Sequence, residues 1–437
     1  MKQIMEKVIN ELTDHKAEAD LIFSSSKTLK MSAQNGAIAE YKVSSSQILG
    51  VRVIKDNRIG ISYTESLDPE STQFMIKEAL GNAELSEPNT DERILQLSGH
   101  IDDASDYPEE EVSIEEKTHK TLELESLVKN ADKRVISVPH NSFSENEYTS
   151  FYLSSRGRST TYSDKSYSIV TSALMDEAGK KANYYGYDIA HTFKELQWQR
   201  IVDKSLFHAR NMLQEKTLPT GRYSVMFNED NLKELIGCFS NFYSAKSAKD
   251  KVNPWASKVG EQVISSDITI EDHPLYEGSF RISKFDSEGV ERKPLALIKN
   301  GVLQSFYHNS ATAAHFGTTT TGHAARGAGS SLGISGTDMI IKGKNQKAMP
   351  DRYLEIIQMD GLYSGANRVN GNFSVAIKGY VWEKGERKMT FGNITLSGNL
   401  PEMLNKVEVV GDKLSASTDK SFFTVPLMFH ELSIAGS

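Results

Sequence analysis

The stretch GTTTTGHAARGAGSS, from Gly317 to Ser331, is the most unusual in the chain for the chemistry it could support. Its glycines permit close approach of another backbone, and its hydroxyls, with His323 and Arg326, can hold a carboxylate or a peptide main chain. Thr321, Gly322, His323 and Arg326 are therefore the candidate residues of a peptide-facing loop. Two other readings stay open. One is a plain structural loop. The other is a hydrolase, which needs an acid partner and an oxyanion hole that sequence cannot place. No G-x-S-x-G elbow accompanies the segment, and it is not a G-x-x-x-x-G-K-[ST] phosphate loop.

Metal chemistry finds little support. A helical pair of histidines one turn apart would converge on a single ion, but none of the 11 histidines forms H-E-x-x-H or H-x-x-x-H. His430-Glu431 begins such a motif, yet Leu432, Ser433 and Ile434 follow and the segment reads as a strand. His308 and His315 stand seven apart, about 10 Å along a helix, and read as surface or hydrogen-bonded histidines. Asp286-Ser-Glu288-Gly289 reads as a turn carrying solvated acids. Cys238 lies on an apolar helix face beside Phe239 and is expected to be an inert buried thiol. No catalytic residue and no metal ligand is assigned.

The elements that would position these groups follow from periodicity. Met1, Ile4, Met5, Val8, Ile9 and Leu12 recur at helical spacing. Residues 20–64 alternate as a strand meander, with turns at Asn35-Gly36 and Asp56-Asn57. Asp68-Pro69 caps a helix whose inner face would be Phe74, Ile76, Ala79 and Leu80. Residues 86–112, polar and acidic with Pro88 and Pro108, read as a linker or crossover. Ser113-Ile-Glu-Glu116 is a capping box opening a helix to about Asn130. Strands are expected at 134–139, 148–154, 158–163 and 166–176, then a helix near 195–215. After Leu218-Pro219-Thr220-Gly221 come a strand to Phe227 and a helix with the stripe Leu232, Leu235, Ile236, Phe239, Phe242, Tyr243. Lys299-Asn300-Gly301 marks a hairpin, and later strands are expected at 354–359, 373–383, 388–396 and 427–435. The expectation is an α+β protein: residues 1–105 as an N-terminal helix plus strand meander, 106–217 as a second α+β region, and 218–437 as a β-rich C-terminal domain.

Composition narrows the function classes. The 38% hydrophobic residues and 30 glycines among 437 are ordinary for a globular protein. Fifty basic against 58 acidic residues leave a net charge of −8 with no basic cluster, so no nucleic-acid partner is expected. One cysteine excludes an intramolecular disulfide and fits a reducing compartment. No apolar run approaches a membrane span and the amphipathic start is not a signal peptide, so the expected setting is the cytoplasm.

The C-terminal half resembles the PmbA (TldE) branch of the TldD/PmbA family, whose members have been called modulators of DNA gyrase. The matching pieces, in order, are FNEDNLKELIG at 227–237, FDSEG at 285–289, KPL at 293–295 and NGVLQ at 300–304. NSATAA at 309–314, TGH at 321–323, GNITLSGNL at 392–400 and LSIAG at 432–436 complete the set. Over 1–215 the likeness is looser. The resemblance implies a partner of TldD type, carrying an H-E-x-x-x-H helix and a C-terminal cysteine that bind zinc for peptide hydrolysis. Here the matching helix offers Asn228, Glu229, Asp230 and Glu234, and Thr418–Thr424 has no cysteine. The implied role is a non-catalytic subunit, with no cofactor of its own and zinc in the partner, acting on small or unfolded peptides. The alternative is a peptide-binding homodimer or scaffold with no protease role. The unrecognised hydrolase is the third reading.

Overall fold

A computed structural model describes residues 1–104 and 110–436. Pro108 and the expected 105/106 boundary lie outside the described residues. The N-terminal half is α1 (Lys2–Asp14), β1 (Glu18–Gln34), β2 (Ala37–Lys55), β3 (Arg58–Thr64), α2 (Pro69–Leu85), β4 (Gly99–Ala104) and α3 (Ile114–Ala131). It continues with β5 (Val135–Ser137), β6 (Asn141–Ser154), β7 (Arg158–Glu177), β8 (Lys180–Ala190) and α4 (Trp198–Met212). Its strands form one sheet in the order β3-β2-β1-β6-β7-β4, with β5 and β8 also pairing β7. All pairings are antiparallel except β4 on β7.

The start signals act where expected, because each is local. The Asp68 and Ser113 side chains accept from the amides of Ser71 and Glu116, satisfying first-turn donors that have no intrahelical partner. α1 and α2 pack Met5, Val8, Leu12, Met75 and Ile76 against Leu21, Leu49 and Val53 of the sheet. Three expectations need correction. α2 buries Ile76 and Ala79 as expected, but Phe74 is 62% exposed, and Met75 and Ala83 complete the inner face in place of Phe74 and Leu80. The crossover 86–112 contains β4, and the two strands expected at 158–163 and 166–176 are one, β7. Because β1 pairs β6 and β4 pairs β7, the strands β1 to β8 share a single sheet.

The C-terminal half is β-rich. The strand β9 (Gly221–Phe227) lies between Arg352–Asp360 and Leu427–Ala435; Glu386–Asn399 and Asn372–Glu383 follow, and the last of these pairs back onto Arg352–Asp360. These five strands close a small barrel. A second sheet centres on β10 (Ile268–Asp272), flanked by β11 (Leu295–Lys299) and by Met339–Gly343. Between them runs α5 (Glu229–Cys238), whose Leu232, Leu235 and Ile236 join Phe239, Phe242 and Tyr243 in the barrel core. Cys238 is a buried free thiol.

The two halves meet closely. A Cβ at Gly50 of β2 would lie 1.8 Å from the carbonyl oxygen of Ala328, so only glycine lets the C-terminal loop lie on the sheet.

Candidate functional site

The site has two parts, an open groove and a dry charge cluster, both built where the halves meet.

The groove, about 680 Å³, is lined by β8, α4, α5, the end of Arg352–Asp360 and the turn Thr418–Asp419. Asn228 caps α5 by accepting from Asn231 N–H. Helical spacing then turns Asp230, Lys233 and Glu234 outward, opposite the Leu232/Leu235/Ile236 stripe. Asp230 accepts from the amide and the hydroxyl of Thr418, both at 2.7 Å, and from Lys204 Nζ at 3.4 Å. Lys233 pairs with Asp419, which also accepts from the hydroxyls of Ser417 and Ser421. Burial raises the Asp419 carboxyl, but Lys233 and Ser417 more than reverse this and hold it below its ordinary value. Burial, then the neighbouring Asp360, push Glu234 up.

Tyr184, Tyr185 and Tyr187 of β8 form the aromatic wall. Tyr184 donates to the carbonyl of Ile357 at 3.2 Å and packs on His208, 4.3 Å between ring centres. Burial and then Lys204 hold His208 down at about 4, so it is neutral at pH 7. Two strand segments border the groove: β8 pairs only β7 among the described residues, and Ile357–Asp360 run past the last residue that β9 pairs, Ile356. Extended backbone with unpaired N–H and C=O groups can accept another strand.

The dry cluster lies beneath the loop singled out in the sequence. Arg52 donates to Asp20 (2.6 Å), Glu92 (3.1 Å) and Glu288 (3.2 Å), and Arg326 donates to Asp20 at 2.6 Å. Glu288 also accepts from the Ser310 amide at 2.9 Å. Asp20, Arg52 and Glu288 are each at most 1% exposed. Despite its burial, Asp20 stays below the usual carboxylate range because Arg326 and Arg52 flank it. The acids of the 286–289 turn, expected in solvent, are therefore buried. Asp286 accepts three amides, from Glu288, Val290 and Ala324, yet burial and the adjacent Glu288 push it up to about 7.

The four candidate loop residues separate. Thr321 and His323 form one network, beside which the Gly322 amide donates to the Thr320 hydroxyl: His323 is fully buried, with Nε2 3.0 Å from Asp272 and Nδ1 2.9 Å from the Thr321 hydroxyl. Asp272 also accepts from Tyr307 and from the Thr337 amide. Arg326 points elsewhere, into the Asp20 cluster, and is 7% exposed. In this structure the His323 and Arg326 side chains face the interior. His308 is buried too and held at about 4 by burial, whereas His315 sits at the surface 3.0 Å from Asp91. The sequence reading did not single out Lys204, Lys233 or the β8 tyrosines. Their only signal was a lysine inside α5 and the run Tyr184-Tyr185-Gly-Tyr187.

Residues 220–436 match the PmbA/TldA metallopeptidase C-terminal domain, 19–83 match that family's domain 1, and 107–213 its central domain. The chain belongs to this family. It is 24% identical over 444 residues to the metalloprotease PmbA of Escherichia coli O157:H7, spanning 100% of this chain and 97% of that protein. It is 24% identical over 422 residues to the metalloprotease TldD homolog of Haemophilus influenzae, covering 90% and 85%. The fold is shared with a Thermotoga maritima protein named as a modulator of a DNA gyrase (TM-score 0.85, 23% identity, 99% and 100% covered) and with TldE from Thermococcus kodakarensis (TM-score 0.81, 22% identity, 99% and 100% covered).

The PmbA/TldD family implies zinc, and the groove is where the resemblance sets its helix and C-terminal ligand. The residues present do not fit such an ion. Asp230 and Asp419 are engaged by Thr418, Ser417 and two lysines, so ammonium groups stand where a cation would be repelled. Among the described residues no group of three His, Cys, Asp or Glu side chains is placed to hold a metal. Among the described residues, no helix is long and apolar enough to cross a membrane.

Proposed function

We propose that this chain is the non-catalytic subunit of a TldD/PmbA-type metalloprotease complex acting on small or unfolded peptides, with zinc carried by a TldD-type partner. The observation that carries the reading is the pair of lysine–aspartate contacts, Lys204–Asp230 and Lys233–Asp419, at the position where a catalytic member would need its ligands. A catalytic zinc needs three protein ligands and an open position for water. In their place this chain offers a groove bordered by two strand segments that, among the described residues, each have a neighbour strand on one side only, suited to an extended peptide held by backbone hydrogen bonds. The single buried cysteine suits a cytoplasmic setting.

Purified alone, the chain is expected to carry no stoichiometric zinc and to cleave nothing; co-purified with a histidine-bearing partner, cleavage appears. One zinc per chain together with chelator-sensitive cleavage by this chain alone overturns the proposal.

A peptide-binding homodimer is the second reading. It is favoured by one observation: β3 pairs β2 only over 49–55, leaving 37–48 without a strand on that side among the described residues, with Tyr41 and Val43 exposed. Sedimentation velocity showing a monomer removes it, as does a TldD-like partner that gains activity from this chain.

A further inference from the structure

Away from the groove, a second cleft of about 440 Å³ opens where the start of β7 meets the segment leading into β11 and the loop at Thr320–Thr321. Arg158, the first residue of β7, lines it. The side chain is nine-tenths buried, and the fold makes room for it. Gly289 has φ +71°, and a Cβ there would come within 2.5 Å of Arg158 Cγ, so the stem passes where only glycine leaves space.

For a cation so enclosed, Arg158 is poorly matched. Among the described residues its Nε is buried with no hydrogen-bond partner. Its one ion pair among the described residues, with Glu291, spans 3.9 Å, and that glutamate side chain is 62% exposed. At that distance no hydrogen bond forms, and water screens the attraction. A buried guanidinium is stable when a planar anion meets its fork of donors, as Asp20 does for Arg52 in the same molecule.

The rest of the cleft narrows the anion's identity. Lys293 stands exposed at the rim and adds a second positive charge, so that with the exposed Glu291, which also lines the cleft, the lining keeps one net positive charge. Leu97, Val290 and Leu295 supply apolar wall beside the charge. The hydroxyls of Thr320 and Thr321 are committed to the carbonyl of His308 at 3.1 and 3.2 Å, so they shape the wall and fix the loop. An arginine beside a small apolar wall matches a carboxylate attached to an apolar residue.

We propose that this cleft is a carboxylate subsite for a bound peptide, with Arg158 as the anchor and Lys293 as the rim charge. The inference rests on the peptide reading above. The carboxylate has two sources, a peptide C-terminus or an aspartate or glutamate side chain, and the cleft's apolar wall favours the C-terminus.

The experiment measures fluorescence anisotropy of the full-length protein with labelled unstructured peptides that share one sequence, ending in leucine as free acid or as amide. A third peptide is an amide with an internal glutamate. Tighter binding of the acid than of the plain amide, by about tenfold, is expected, with the glutamate amide resembling the plain amide. Arg158→Gln should bring the acid down to the amide's affinity and leave the amide unchanged. Arg158→Lys should keep part of the preference, and Lys293→Gln, a surface change, should reduce it about two- to threefold. Recovery of the preference by the glutamate amide assigns the carboxylate to a side chain and overturns the C-terminal assignment. Equal binding of acid and amide, or a preference unchanged in Arg158→Gln and Lys293→Gln, overturns the subsite alone. No binding of any peptide overturns the peptide reading and the subsite together.

Discussion

The groove and the dry cluster use the same chemistry and do different things with it. Each brings aspartates or glutamates onto cationic side chains contributed by distant segments. In the groove, Lys233 and Asp419 keep 37% and 38% of their side-chain surface in water; in the cluster, Arg52 and Asp20 keep 1% and none. The exposed pairs are screened and individually weak. The buried ones have lost their hydration, so each charge depends on its partner. The cluster therefore locks the N-terminal sheet onto the C-terminal loop, while the groove keeps a polar surface that a ligand can compete for.

The largest test of that contrast is Arg52→Met. It removes the cation shared by Asp20, Glu92 and Glu288 and should cost about 3–5 kcal/mol in urea unfolding; a loss under about 1 kcal/mol would mean the cluster is not a lock.

Asp286 offers a pH test of the same region. In the folded protein it titrates near 7 instead of 3.8, so between those values the folded form holds a proton that the unfolded chain has lost. The Asp286 contribution to stability should fall as pH rises through this window, by up to about 4 kcal/mol, and level off above it. Asp286→Asn should flatten that slope whatever it does to absolute stability. Asp338, which burial also raises to about 7, adds to the fall, while His208 and His308, held down at about 4, oppose it below about pH 6.5 because the unfolded chain binds their protons there and the folded form does not. Asp20 and Asp272, both lowered, lose their contribution only as pH drops below the ordinary carboxylate range. An unchanged slope in the variant means Asp286 is already ionised at neutral pH.

His323→Ala should cost about 2–3 kcal/mol, because Asp272 loses a partner inside a dry site, and should leave peptide binding intact. Lost binding at unchanged stability would return this loop to the ligand surface. The smallest effect belongs to the groove: Lys233→Met should change stability by under about 1 kcal/mol, while altering how tightly a peptide is held. A loss as large as that of Arg52→Met would erase the distinction.

What could be read from the chain and what could not divide along physical lines. Asp68 and Ser113 were legible as caps because an N-cap acts within three residues. The Leu232–Tyr243 stripe was legible because its spacing is local as well. The face of α2 was read rightly at Ile76 and Ala79 but wrongly at Phe74. Phe74 is the larger ring, but α2 approaches β3 so closely that a Cβ at Gly60 would lie 1.7 Å from the Ala79 carbonyl, and that approach turns Met75 inward. β8 escaped notice because its inward positions include Ala182, Gly186 and Asp188, which alternate in burial without alternating in hydrophobicity. β4 was hidden for a different reason: Gly99–Ala104 is polar, and its strand identity comes from pairing with residues some 60 positions away.

By itself, then, the sequence determined the capped helices, the alternation of the meander, the β-rich second half and the lack of any imidazole pair one helical turn apart. Those properties live in short windows. Only the tertiary structure decided that Glu288 and Asp286 are dry, that Arg326 meets Asp20 across 306 positions of chain, and that lysines occupy the groove beside α5. Whether a charge is solvated, paired or stranded depends on which distant segments surround it, and no local pattern carries that information.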